Sequence, residues 1–151
     1  MNKSEAQQFL SSMYQDILSE MNTEKIPDYF SENYVQVTDG SQIDLVQFKD
    51  HMRTLKKVAR TITVSPFHEF LFDERLQSAA VRYTVNVVKT NGDRGRIDVI
   101  AMFKMNGFKI VQCHELSHAI EGKEDFEELA KISEAAIEKA SSREEKAFSQ
   151  D

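Results

Sequence analysis

IDVIAMFKMNGFKIVQCHELS, residues 97–117, decides the fold. Two runs of alternating character flank Asn106-Gly107, a dipeptide suited to a type I′ hairpin because both central residues need positive φ. A two-residue turn there pairs Met105 with Phe108, and therefore Asp98 with Glu115. Ile97, Val99, Ala101, Phe103, Ile110, Gln112, His114 and Leu116 then share one face. Asp98, Ile100, Met102, Lys104, Val111, Cys113, Glu115 and Ser117 share the other. The first face is more apolar and is the expected concave core face. It aims Gln112 and His114 inward, and Asp98 and Glu115 outward. A bulge near Cys113 would reverse this for Glu115.

The period of two extends upstream of this hairpin. Strands are expected over 61–72, 77–89, 95–105 and 109–119, with Pro66 marking a bulge or an edge in the first. Before residue 61 the pattern is helical. Ala6, Phe9, Leu10, Met13, Tyr14, Ile17, Leu18 and Met21 follow the i, i+3, i+4, i+7 rule over residues 4–21, with Ser4 and Gln7 as a capping box. A short helix is expected around Glu24–Phe30, then a strand over Tyr34–Thr38. Asp44 and Gln47 should open a third helix that buries Leu45, Phe48, Met52 and Leu55. The pattern is helical again over Phe126–Ala140.

A chain of 151 residues is one domain by length, and its hydrophobic content of 40% suffices for a core. It has no apolar run long enough to span a bilayer and no apolar leader, and it carries one cysteine, Cys113. A reducing, cytoplasmic setting is the expectation. Residues 1–123 carry 16 acidic and 15 basic side chains, whereas residues 124–151 carry 9 and 4. Without a basic stripe to neutralise phosphates, neither nucleic acid nor an anionic membrane is an expected partner.

The order helix, helix, strand, helix, then four long strands resembles the nuclear transport factor 2-like superfamily, which includes ketosteroid isomerases and SnoaL-like polyketide cyclases. YFSENYVQVTDG (29–40), the helix around LVQFKDHM (45–52) and residues 97–117 carry the resemblance, which covers about residues 5 to 120. It implies an α+β fold in which a curved antiparallel sheet holds helices in its concave face, forming a cone-shaped barrel. Residues 1–122 would form the cone, and 123–151 an acidic helical extension outside the resemblance. By the same resemblance, Tyr14 matches the oxyanion-binding tyrosine of the isomerases. The positions of their base and of their protonated aspartate hold Thr38 and Ala101, so isomerase chemistry does not carry over. Glu115 falls near the acid/base aspartate of the cyclases.

His114-Glu115-Leu116-Ser117-His118 also fits H-E-x-x-H, in which two histidines one helical turn apart bind zinc and the glutamate activates a water. A strand context argues against a zinc metalloprotease. Residues i and i+4 of a strand lie about 13 Å apart at roughly 3.3 Å per residue, too far for one metal. No metal and no cofactor is expected. Cys113 reads as a packing residue, and His51 as a residue on a polar helix face.

These readings converge on a site for a small, mostly apolar ligand. Tyr14, Tyr29, Phe30, Thr38, Phe48, Met52, Tyr83, Val99, Ala101, Gln112 and His114 are its expected lining. Tyr83 faces inward only if the 89–95 loop has odd length; otherwise Arg82 and Thr84 do. His114 and Tyr14 are the candidate catalytic groups, and Asp98 with Glu115 is the alternative acid/base pair. The expected function is a cofactor-independent isomerase, cyclase or dehydratase. The alternative is a non-enzymatic binding or assembly module that forms a homodimer through its open sheet face. Buried polar groups in the pocket favour the first, and a pocket filled by Phe and Met the second.

Overall fold

The first helix starts where Asn2 caps it. The Asn2 side chain accepts the Glu5 N–H at 2.8 Å, and the Glu5 carboxylate accepts the Asn2 N–H at 3.0 Å. The box therefore lies two residues upstream of the expected Ser4 and Gln7. The computed structural model describes residues 1–122 together with Phe126 and Leu129. Apart from those two residues, the expected helix over Phe126–Ala140 and the rest of the 123–151 extension lie outside the described residues. Helix α1 (Lys3–Met13) continues as a π-helical segment, Tyr14–Ser19. A 3₁₀ turn (Thr23–Lys25) leads into the short α2 (Ile26–Tyr29), with Pro27 in its first turn, where a missing N–H costs little. Helix α3 (Leu45–Val58) opens at Asp44 and Gln47 as the sequence indicates, each side chain accepting the other's N–H at 2.9 Å.

The helices pack in a curved seven-stranded sheet of order β2-β1-β7-β6-β5-β3, with β4 also on β5. The strands are β1 (Phe30–Thr38), β2 (Ser41–Asp44), β3 (Ala59–Val64), β4 (Glu69–Asp73), β5 (Ser78–Lys89), β6 (Arg94–Asn106) and β7 (Lys109–Glu121). Every pairing is antiparallel except β1 with β7, which is parallel. These two strands are distant in sequence, so no hairpin dictates their direction. The expected strand over 61–72 is two strands. Pro66 breaks it, β3 pairs the far half of β5, and β4 the near half. The sheet and helices make the cone-shaped α+β architecture. No helix among the described residues is long and apolar enough to cross a membrane.

The β6–β7 hairpin turns one residue later than expected. Asn106 pairs Lys109, so Gly107 and Phe108 are the central residues. Gly107 has φ +59° and Phe108 does not have positive φ, the pattern of a type II′ turn. Met105 pairs Ile110, but Lys104 pairs Gln112, which leaves Val111 as an extra residue. That bulge inverts the rest of β7. Cys113 faces Phe103, Glu115 faces Ala101 and Ser117 faces Val99 on the concave side, while His114 and Leu116 join Met102 and Ile100 on the convex side.

Candidate functional site

Between the helices and the concave sheet face lies a cavity of about 100 Å³. Aromatic and aliphatic side chains form most of its wall, among them Phe30, Phe48, Met52, Val99 and Phe103. The polar lining groups are Tyr14, Tyr34, Gln36, His51, Tyr83, Cys113, Glu115 and Ser117. Among the described residues, neither lysine nor arginine lines the cavity.

Glu115 is the centre of the polar set. Tyr34, Gln36 and Thr38 alternate along β1 and so share its buried face. The Tyr34 hydroxyl donates to Gln36 Oε1 at 2.7 Å, which turns the amide nitrogen toward Thr38. Gln36 Nε2 donates to Thr38 Oγ1 at 2.7 Å and reaches Glu115 Oε1 at 3.4 Å. Thr38 Oγ1 donates to Glu115 Oε1 at 2.7 Å. One carboxylate oxygen is thus held by β1, while Oε2 is approached among the described residues by Cys113 Sγ at 4.0 Å. The backbone is held as well. The Asp39 N–H donates to the Glu115 carbonyl at 3.1 Å, and the Asp39 carboxylate accepts the Ser117 N–H at 2.8 Å.

Burial raises the Glu115 pKa from 4.5 to about 7; the Thr38 hydrogen bond opposes this and the Asp39 charge adds to it. Glu115 keeps some accessible surface, and it lines the cavity. Both protonation states are therefore accessible near neutral pH. The Tyr14 and Tyr83 side chains are in contact, with ring centroids 4.5 Å apart. Burial pushes both phenols, and that of Tyr34, well above their ordinary value, so all three remain protonated donors. Burial first and the Glu115 charge second push the Cys113 thiol up as well, so it is no activated nucleophile.

Of the residues expected to line the site, Tyr14, Phe30, Phe48, Met52, Tyr83 and Val99 do so. Tyr83 faces inward opposite Val99, leaving Arg82 and Thr84 outside. Thr38 and Ala101 are buried on the concave side without lining the cavity, Thr38 behind Glu115 and Ala101 across the strand from it. Tyr29 is turned away and donates to Asp16; burial, with that bond, pushes its pKa up to about 12. His114 is exposed on the convex face, away from the cavity, so it is no catalytic candidate. Gln112 lies between Val35 and Lys104 outside the cavity. The Val111 bulge is the physical reason for both corrections.

The same bulge separates the alternative acid/base pair. Asp98 faces His118 and accepts from Thr84 Oγ1 at 2.9 Å, whereas Glu115 is on the other face. The H-E-x-x-H residues lie on β7 with both histidines outward and the glutamate inward, so the zinc-protease arrangement does not form. Among the described residues, no cluster of three or more His, Cys, Asp or Glu is placed to hold a metal ion. His51, expected on a polar helix face, is buried and lines the cavity. Sequence reasoning missed Tyr34 and Gln36 outright. Their one signal was a tyrosine, an amide and a hydroxyl recurring every second residue of a strand.

No family model matches the chain. An uncharacterized protein of Schizosaccharomyces pombe is 22% identical over 111 residues, covering 74% of this chain and 83% of its own. Solved structures share the fold at low identity. PrhC from Penicillium brasilianum superposes with a TM-score of 0.71 at 12% identity, over 85% of this chain and 91% of its own. A candidate polyketide cyclase from Acidithiobacillus ferrooxidans gives 0.65 at 12% identity over 88% and 100%. An epoxide hydrolase from M. tuberculosis, described as LEH-like, gives 0.64 at 14% over 77% and 84%.

Proposed function

From the cone-shaped fold of the nuclear transport factor 2-like superfamily, which this chain has, we propose that the protein binds a small, mostly apolar, oxygen-bearing molecule and moves a proton on it without a cofactor. Glu115 is the acid/base. The observation that carries this reading is the division of its carboxylate: Oε1 is held by Thr38 and Gln36, and Oε2 is left to the cavity. A group with a pKa of about 7 can both take and return a proton at neutral pH. The Tyr14–Tyr83 pair supplies protonated hydroxyls for a ligand oxygen. Names such as polyketide cyclase and epoxide hydrolase among the similar structures support a small organic ligand. So does an apolar wall with a few fixed polar groups. This set of buried polar groups favours the enzyme over a merely filled core.

Proton exchange in D₂O is the test. With an enolisable cyclic ketone as probe, deuterium should enter next to the carbonyl faster than without protein. The rate should climb as Glu115 ionises and level off above about pH 7. Glu115→Gln should return it to the protein-free rate. Exchange that persists in Glu115→Gln, or a wild-type rate equal to the protein-free one, overturns the reading.

A homodimer accompanies this reading. Ile100 and Leu116 are cross-strand partners on the convex face, with Met102 beside them, and all three are exposed. A contiguous apolar patch on an open sheet suits a second copy of the chain.

A further inference from the structure

Phe126 and Leu129 follow β7, beyond the part of the chain that the sequence resemblance covers, yet both are buried against the cone. Phe126 is seated on two glycines. A Cβ built on Gly95 would lie 2.5 Å from Phe126 Cγ and 2.6 Å from Cδ1 and Cδ2. One built on Gly122 would lie 2.7 Å from Cδ2. Any other residue at either position would displace the ring, because carbon atoms do not approach so closely. The Lys89 ammonium stands 4.4 Å from the ring centroid, a favourable cation–π distance. Leu129 lines the cavity together with Val87 and Ile97, the strand residues nearest Gly95 across and along the sheet.

We propose that Leu129 is the residue that limits ligand size, and that Phe126, locked over Gly95 and Gly122, holds it in place. This rests on the reading of the cavity as a ligand site. Leu129 is an aliphatic wall added to the cone from outside its strands and helices, so the cavity selects compact apolar ligands and excludes extended polycyclic ones.

Two neutral probes separate the possibilities: toluene, followed by NMR, and the larger N-phenyl-1-naphthylamine, followed by fluorescence. Wild-type protein should take toluene and exclude the larger probe. Leu129→Ala and Phe126→Ala should each tighten binding of the larger probe by about tenfold, and Leu129→Phe should weaken toluene by about tenfold. Gly95→Ala is the sharpest variant. Its new methyl would have Phe126 ring atoms as its three nearest neighbours, so it should reproduce Phe126→Ala while the strand remains paired. If the four variants bind both probes as wild type does, the inference is overturned and the cavity reading stands. If no protein takes either probe, the cavity reading falls and the inference with it.

Discussion

At Glu115 two forces oppose each other: burial disfavours the carboxylate, and the Thr38 hydroxyl favours it. Burial wins, so the folded pKa of about 7 lies above the unfolded value near 4.5. The folded state then holds the proton more tightly than the unfolded chain. The contribution of Glu115 to stability is therefore full below about pH 4.5, falls as pH rises to about 7, and is constant above. The difference is at most on the order of 3 kcal/mol. Glu115→Gln should accordingly melt higher than wild type at pH 8 and differ little at pH 4.5; equal melting temperatures at pH 8 would refute the burial cost. Thr38→Val removes the donor at 2.7 Å without changing the shape of the site. The Glu115 titration, followed by carboxyl ¹³C NMR, should move to a higher midpoint. A midpoint unchanged or lowered would show that Thr38 does not hold the charge.

The same residues explain part of what sequence could not reveal. In YVQVT, residues 34–38, Thr38 is an expected lining residue, yet Tyr34 and Gln36, which share its buried face, carry no apolar signal beside Val35 and Val37. Burying amide and hydroxyl groups is tolerable because each finds a partner along β1, and the chain of bonds ends on Glu115 of β7, which local pattern does not show. At the scale of elements, most of the fold was legible. The apolar stripe of α1, the Asp44 cap of α3, the long strands and the glycine turn all follow from local chemistry. Register was not. The displaced turn moves the register by two residues and keeps the faces, so the Val111 bulge alone decides which face of β7 enters the cavity, and no residue type in FKIVQCHELS marks a bulge. Hence the sequence pointed His114 inward when Glu115 is the inward group. The turn itself is testable. Gly107 has φ +59°, which a β-branched residue resists, so Gly107→Val should cost about 1–2 kcal/mol in urea unfolding. A loss of only a few tenths would mean that the turn relaxes and does not fix the hairpin.

At the scale of the whole molecule, the cone presents two unlike surfaces. The concave side is filled by helices and cavity, whereas the convex side of β6 and β7 carries Ile100, Met102 and Leu116 at 56%, 60% and 67% exposure. The three are contiguous, because Ile100 pairs Leu116 directly and Met102 follows two residues along β6. Leaving such a patch in water forfeits the stabilisation that burial brings, at roughly 25 cal/mol per Å² of apolar area. The surrounding side chains carry both signs, with Arg82, ion-paired to Glu69, and Asp98 at one end of the strip and Lys104 at the other. A surface that mixes both signs around an apolar strip can meet itself across a two-fold axis, since each positive group can approach a negative one of the other copy. The expected solution species is thus twice the 17.4 kDa chain. Leu116→Glu would place an uncompensated carboxylate on the strip, opposite its own symmetry mate's strip. It should shift the species measured by light scattering to monomer, and leave the cavity intact because Leu116 points away from it. A wild-type protein that scatters as monomer at tens of micromolar would refute the homodimer; a Leu116→Glu variant still dimeric would place the interface elsewhere on the chain.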